Sequence, residues 1–277
     1  ISFQKVNNDT YLKVFDSNIV NTDLKPDNFE TLTSEIDLNI ENEKFVLNSG
    51  FTVYENLSKP NSDRYQYVLP YYDFTRSFFD ENKFASFNFF SQGDNILNDT
   101  NSLRSRMINN LNIQSVDYFS EKGFKNNFNY YLKNTISAGK NNVEYDSSPH
   151  VKFMNIFEFV SSFPLIKEGE KFIDYLSPKI SLRVNPSSMK GYKNENRKIN
   201  NENIFNINRL GLIDTLESGQ NVTLGLDYKK EKIDNINKYF ELKLGTVLRT
   251  KPNKSIPTNS TLDKKHSNYF GKLTNNF

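Results

Sequence analysis

The chain has 277 residues, 36% hydrophobic and 14% aromatic, with 35 basic against 33 acidic side chains, a net charge of +2 and no cysteine. The length allows one large β domain or two small ones, the interspersed charge leaves no basic footprint for nucleic acid, and the missing cysteine removes disulfides, thiolate catalysis and Cys-based metal sites together. No run approaches the ~18 apolar residues of a membrane-spanning helix, but a mean hydropathy of −0.67 does not exclude a membrane barrel, whose strands need apolar residues on one face only.

In chain order, the sequence opens at Ile1 in a strand-like stretch with no leader pattern. TLTSEIDLNI (31–40) then sets Leu32, Ile36, Leu38 and Ile40 on one face and Glu35, Asp37 and Asn39 on the other. Glu41-Asn42-Glu43 reads as a hairpin loop before KFVLNSGFTVYEN (44–56), which groups Phe45, Leu47, Phe51 and Val53. RYQYVLPYYDFTR (64–76) carries Pro70, which cannot donate to a ladder and marks an edge, bulge or break. Strand-like stretches follow at 83–92, 102–119, 124–139 and 150–162. The third groups Phe128, Tyr130, Leu132, Ile136 and Ala138, and the fourth Val151, Phe153, Phe157 and Phe159. FIDYLSPKISLRV (172–184) contains Pro178 and then alternates Ile180, Leu182 and Val184.

The stretch 185–208 is polar and turn-rich. It leads into NRLGLIDTLESGQNVTLGLDY (208–228), which ends in a strict alternation of Val222, Leu224, Leu226 and Tyr228 against Thr223, Gly225 and Asp227. Period 2 over that length is a strand with two unlike faces. YFELKLGTVLR (239–249) repeats the pattern, and 251–267 is a second polar stretch with two prolines. Tyr269, Gly271, Leu273, Asn275 and Phe277 share a face of a last alternating stretch, so both chain ends read as cut. Many of these strands run to about 9–13 residues, where soluble strands average about 5–6 and a tilted membrane strand needs about 9–11. The expected fold is therefore all-β, an antiparallel transmembrane β-barrel present as an incomplete barrel of about 12–14 long strands. Residues 1–277 form a single domain in that reading, with 185–208 and 251–267 as long outer loops. A soluble two-sheet β protein is the alternative.

Few residues suggest chemistry. His150 follows Ser147-Ser148-Pro149, and His266 lies beside a loop. A Ser/His hydrolase needs base and orienter in hydrogen-bond geometry, and interfacial or solvated histidine is the simpler reading. Asp214 and Glu217 fit a Ca²⁺ or general acid/base pair in residue type. Without further ligands nearby they read as turn-capping, solubilising carboxylates. Lysines at 190, 193, 251, 254, 264 and 265, with Arg197 and Lys198, suit either solvated loops or phosphate contacts. No phosphate loop, zinc spacing or dinucleotide fingerprint is present, so no catalytic, cofactor or metal residue is assigned.

Several stretches resemble the LptD family of outer-membrane lipopolysaccharide-assembly proteins over essentially the whole chain. They are the N-terminal stretch with Asp9, Tyr11 and Phe15; the segment with Pro70; and the paired segments with Pro149, Pro164 and Pro178. The most specific is the pattern Asn208-Arg209, Asp214, Glu217, Gly219, Gly225 and Tyr228, followed by Asp263, Ser267, Tyr269 and Gly271. The resemblance implies a non-enzymatic transporter in the bacterial outer membrane that inserts lipopolysaccharide into the outer leaflet. It also implies an LptE-like plug lipoprotein and an LptA-like periplasmic bridge reached through an N-terminal periplasmic domain. That domain and the last barrel strands are expected to lie outside this sequence. A general porin is the alternative, with an open pore and no plug.

Overall fold

A computed structural model describes residues 1–15, 30–60, 63–79 and 84–277. Asp16 to Asn18 of the N-terminal stretch and Lys83, the expected first residue of one strand, lie outside the described residues. The alternating sequence forms thirteen strands among the described residues: β1 Thr31–Glu41, β2 Phe45–Asn56, β3 Tyr65–Phe79, β4 Ala85–Asn98, β5 Ser102–Ser115, β6 Tyr118–Phe119, β7 Lys125–Lys140, β8 His150–Ser162, β9 Leu165–Glu168, β10 Phe172–Asn185, β11 Gly219–Lys232, β12 Asn235–Arg249 and β13 Phe270–Asn275. The only helical pieces described are α1, Tyr11–Val14, and a 3-10 turn at Thr258–Ser260.

The strands form one sheet in the order β1-β2-β3-β4-β5-β7-β8-β10-β11-β12-β13, with β6 on β7 and β9 on β10. Neighbours in the chain are neighbours in the sheet, and the order does not return to β1. The sheet is thus open among the described residues, consistent with an incomplete barrel. Its main strands are longer than those of ordinary soluble sheets.

The chain divides into two compact units. The first is Ile1–Phe78, Asn88–Asn110 and Asn134–Lys152; the second is Phe79–Phe87, Leu111–Lys133 and Phe153–Phe277. In the first unit β1 and β2 pair in register from Thr31↔Asn56 to Glu41↔Val46. The β2–β3 register shifts between Gly50 and Thr52, and this irregularity absorbs Pro70, whose peptide bond with Leu69 is cis. Leu12, Leu32 and Leu57 make a small core there.

In the second unit β8 and β9 are one line of chain. Ser162 stands opposite Lys179 and Leu165 opposite Leu176, so Phe163 and Pro164 fall opposite Pro178 and Ser177 without a slip. Phe163 donates its N–H to the Pro178 carbonyl at 3.0 Å. The reciprocal bond is missing because Pro178 has no N–H. The ladder therefore loses a rung where two prolines meet.

The largest core lies off the sheet. Ile199, Ile204, Leu210 and Leu212 pack with Val247 of β12 and with Ile256 and Leu262. Met154 and Ile156 of β8 pack with Leu216. The two expected outer loops are thus folded, and their apolar side chains cover one face of the strands.

Candidate functional site

The alternation on β8, β10, β11 and β12 separates two faces. On one lie Met154, Ile156, Glu158, Ser181, Arg183, Asn185, Asn221, Thr223, Val247 and Arg249, all buried. On the other lie Phe157, Leu182, Val184, Leu224 and Leu244, all exposed. The polar face is covered and the apolar face is bare, which inverts the usual order of a soluble sheet with one solvated face. Exposed rings also pair across strands with half-buried ones, Phe128 with Phe159 and Phe157 with Tyr130, with centroids 5.0 and 4.8 Å apart.

The connection between β10 and β11 covers the polar face and is fastened there by buried charge. Arg209, carried by the connection, forks onto Glu217 with Nε donating to Oε2 at 2.7 Å and Nη2 to Oε1 at 2.6 Å. It also donates to Thr223 Oγ1 at 2.9 Å and Asn221 Oδ1 at 3.0 Å on β11. Arg249 of β12 donates to the Glu217 carboxylate and the Ser218 carbonyl. Arg183 of β10 donates to Glu158 Oε1 at 2.6 Å and to the Asn206 carbonyl at 3.0 Å. Ser181 and Asn129 complete the shell of Glu158 at 2.7 and 3.0 Å. The set holds three guanidiniums and two carboxylates, so one positive charge is in surplus.

Burial pushes the Glu217 carboxyl up, but Arg209, Arg249 and Arg183 outweigh it and hold the value down to about 2. Burial also works against Asp214, and the Tyr192 hydroxyl and Lys190 ammonium overcome it, leaving Asp214 lowered. A second anchor is Lys133 of β7, whose buried ammonium donates to the carbonyls of Leu212, at 3.1 Å, and Ile213. Those carbonyls are backbone acceptors that a covered loop must satisfy.

Glycine permits the close approach. Gly219 sits at φ +94°, and a Cβ there would stand 2.9 Å from Arg249 Nη2. A Cβ on Gly225 would meet the Phe205 ring at 2.6 Å.

The residues singled out from sequence divide accordingly. Arg209, Glu217 and Gly219 converge on this network, Gly225 lies against Phe205 of the connection, and Asn208 donates to the Leu212 carbonyl at 3.2 Å. Glu217 is not the solvated turn carboxylate expected, nor is Asp214, since each is enclosed by cations and hydroxyls. The alternating pattern of the strands concealed this because the partners Arg183 and Arg249 lie outside the stretch. Pro178 lies in the weakened rung, and Tyr228 donates to Asp174 at 2.7 Å. Tyr269 is exposed, and Gly271 lies in β13 with Leu244 3.5 Å from where its Cβ would be.

In the first unit, Asp9 pairs with Arg64 at 2.6 Å and Tyr11 packs on Phe15 at 5.0 Å. Pro70 and Pro149 line one shallow groove. His150 lies 3.2 Å from Asp146 at an exposed site. No group of three or more His, Asp or Glu suited to a metal occurs among the described residues.

Sequence reasoning missed Lys133, Glu158, Arg183 and Arg249. Two of them carried a signal, a charge set between apolar neighbours in a strand: Phe157-Glu158-Phe159 and Leu182-Arg183-Val184. Lys133, beside Asn134, and Arg249, beside Thr250, carried none.

Among known proteins, the family model described as LptD, LPS transport system D, matches residues 1–277. No curated protein matches the chain.

Proposed function

We propose that this chain, which belongs to the LPS transport system D family, forms part of the wall of an outer-membrane β-barrel that inserts lipopolysaccharide into the outer leaflet. The inverted alternation carries the reading. Phe157, Leu182, Val184, Leu224 and Leu244 are bare while Glu158, Arg183, Thr223 and Arg249 are covered. Lipid on one side and a polar interior on the other is the arrangement that makes such a pattern stable. The strand lengths suit a bilayer as well.

In this reading the polar interior accepts the sugar portion of lipopolysaccharide, and the acyl chains leave sideways between strands. The connection 186–218 stays on the inner face because its Arg209 and Glu217 find partners there in Thr223, Asn221 and Arg249, and it narrows the route. An LptE-like lipoprotein shares the interior, and an LptA-like bridge delivers substrate through an N-terminal periplasmic domain. A passive porin is disfavoured because two folded connections, 186–218 and 250–269, cover the polar face of β8 and β10–β12.

The test is depletion of the parent protein in cells with lipopolysaccharide assayed at the surface. Loss of surface lipopolysaccharide, reversed by the wild-type gene, supports the reading. Unchanged surface lipopolysaccharide with reduced small-solute uptake contradicts it and favours a porin.

A further inference from the structure

We propose that the bare face of β3, β4, β5 and β7 carries a binding groove for one acyl chain of lipopolysaccharide. The proposal rests on the membrane-barrel reading above. The groove is lined by Pro70, Tyr72, Gly93, Met107, Ile136 and Ala138, with a volume of about 310 Å³. It lies on the face of exposed Met107 and Ile136, opposite buried Ile108 and Thr135. That volume is at the lower end for a small-molecule site, which suits one chain and not a whole lipid.

Three features make it a groove. Pro70, at the β2–β3 register shift, and Tyr72 form the β3 side. Gly93 supplies the floor, because any Cβ there would run into the Tyr72 ring. Ala138 keeps the β7 side low. The Tyr72 hydroxyl is not lost to lipid: it pairs with Ser91 at 3.0 Å, and Ser91 donates to Asn109 at 2.7 Å. Asn109 then donates to Asn134 at 3.1 Å, and Asn134 to the Lys152 carbonyl at 3.2 Å. A polar line that satisfies itself can face hydrocarbon at low cost.

Polar groups at the rim select the lipid. Asn95 and Ser105, hydrogen-bonded together, are part of the lining, as are Asp94 and Arg106, whose charges are spent on each other at 2.6 Å. Lys140 lies two residues beyond Ala138 on the same face of β7, about 7 Å along the strand. It is exposed and has no ion-pair partner among the described residues. A chain attached to a phosphorylated sugar presents hydroxyls and an anion to these groups. A diacylglycerol phospholipid presents fewer hydroxyls.

The test uses the full-length protein in nanodiscs doped with lipid A, or in parallel with phosphatidylglycerol, each carrying a diazirine in one acyl chain. Cross-linked peptides are mapped after illumination. Lipid A is expected to label the peptide containing 136–140 above the peptide containing Phe153 and Phe157. Ala138→Phe should abolish that excess, and Lys140→Glu should reduce it about fivefold or more. Lys140 is exposed, so its variant keeps the test valid if Ala138→Phe fails to fold. Equal lipid A labelling of both peptides, or equal labelling of 136–140 by the two lipids, would overturn the groove and leave the barrel reading standing. Absence of labelling on both peptides with both lipids would overturn both.

Discussion

At the scale of single residues, the buried charges decide how firmly the β10–β11 connection is held. Removing one partner from a buried ion pair costs more than the pair contributes, because a charge is left without compensation. Glu217→Gln leaves three guanidiniums facing one carboxylate. We expect it to release the connection by about 3–5 kcal/mol, read as new protease cleavage within 186–218 while the strands stay resistant. Unchanged cleavage would show that the fork of Arg209 on Glu217 does not hold the connection. The same group sets a pH response. Its folded value is depressed to about 2, so its contribution is present above the unfolded value near 4.3 and is lost as pH falls toward about 2. The linked stability is on the order of 3 kcal/mol. Protease protection of 186–218 should therefore hold down to about pH 4.3 and fall below it, whereas Glu217→Gln should show a smaller acid step, the part that Asp214 carries. Gly225→Leu is expected to dislodge Phe205 and expose the same sites. Sequence displayed Arg209 and Glu217 as a spaced pair, but their burial follows from Arg183 and Arg249, which lie on other strands. No local pattern contains that information.

At the scale of elements, strand positions were legible because period 2 is imposed by the pleat itself. The faces were legible for the same reason: Val222, Leu224 and Leu226 share a side in the sequence and in the ladder with β10. The connections were not. The stretch 185–208 is mostly polar, and its apolar residues, among them Met189, Tyr192, Ile199, Ile204 and Phe205, have no period. They became core only against Val247, Ile256 and Leu262, far along the chain. Proline was legible as an interruption, but its effect depended on the partner strand. Pro164 and Pro178 fall together only because β8–β9 and β10 keep a common register. Pro178→Ala would supply the N–H facing the Phe163 carbonyl and add a rung worth about 0.5–1.5 kcal/mol. Slower amide exchange at Phe163 is the expected readout, and unchanged exchange would place the weakness elsewhere.

At the scale of the whole molecule, low hydropathy and an apolar exposed face stand in apparent conflict. They are reconciled once each strand is divided between two environments. In the proposed barrel the sequence's polar half goes to a covered interior and its apolar half to lipid, so the average over both is low. The family match over residues 1–277 agrees with that division, and the LPS transport reading depends on it. The chain has no cysteine, so, with any cysteine elsewhere in the full-length protein replaced by serine, the division can be measured directly in outer-membrane vesicles. Single cysteines at Ile180, Ser181, Leu182, Val222, Thr223 and Leu224 would carry spin labels, whose relaxation by oxygen and by a water-soluble nickel complex is compared. The account predicts that 180, 182, 222 and 224 respond to oxygen, as in lipid, while 181 and 223 are shielded from both. Nickel access at 180, 182, 222 and 224 would mean that the apolar face meets water, and it would contradict the membrane wall.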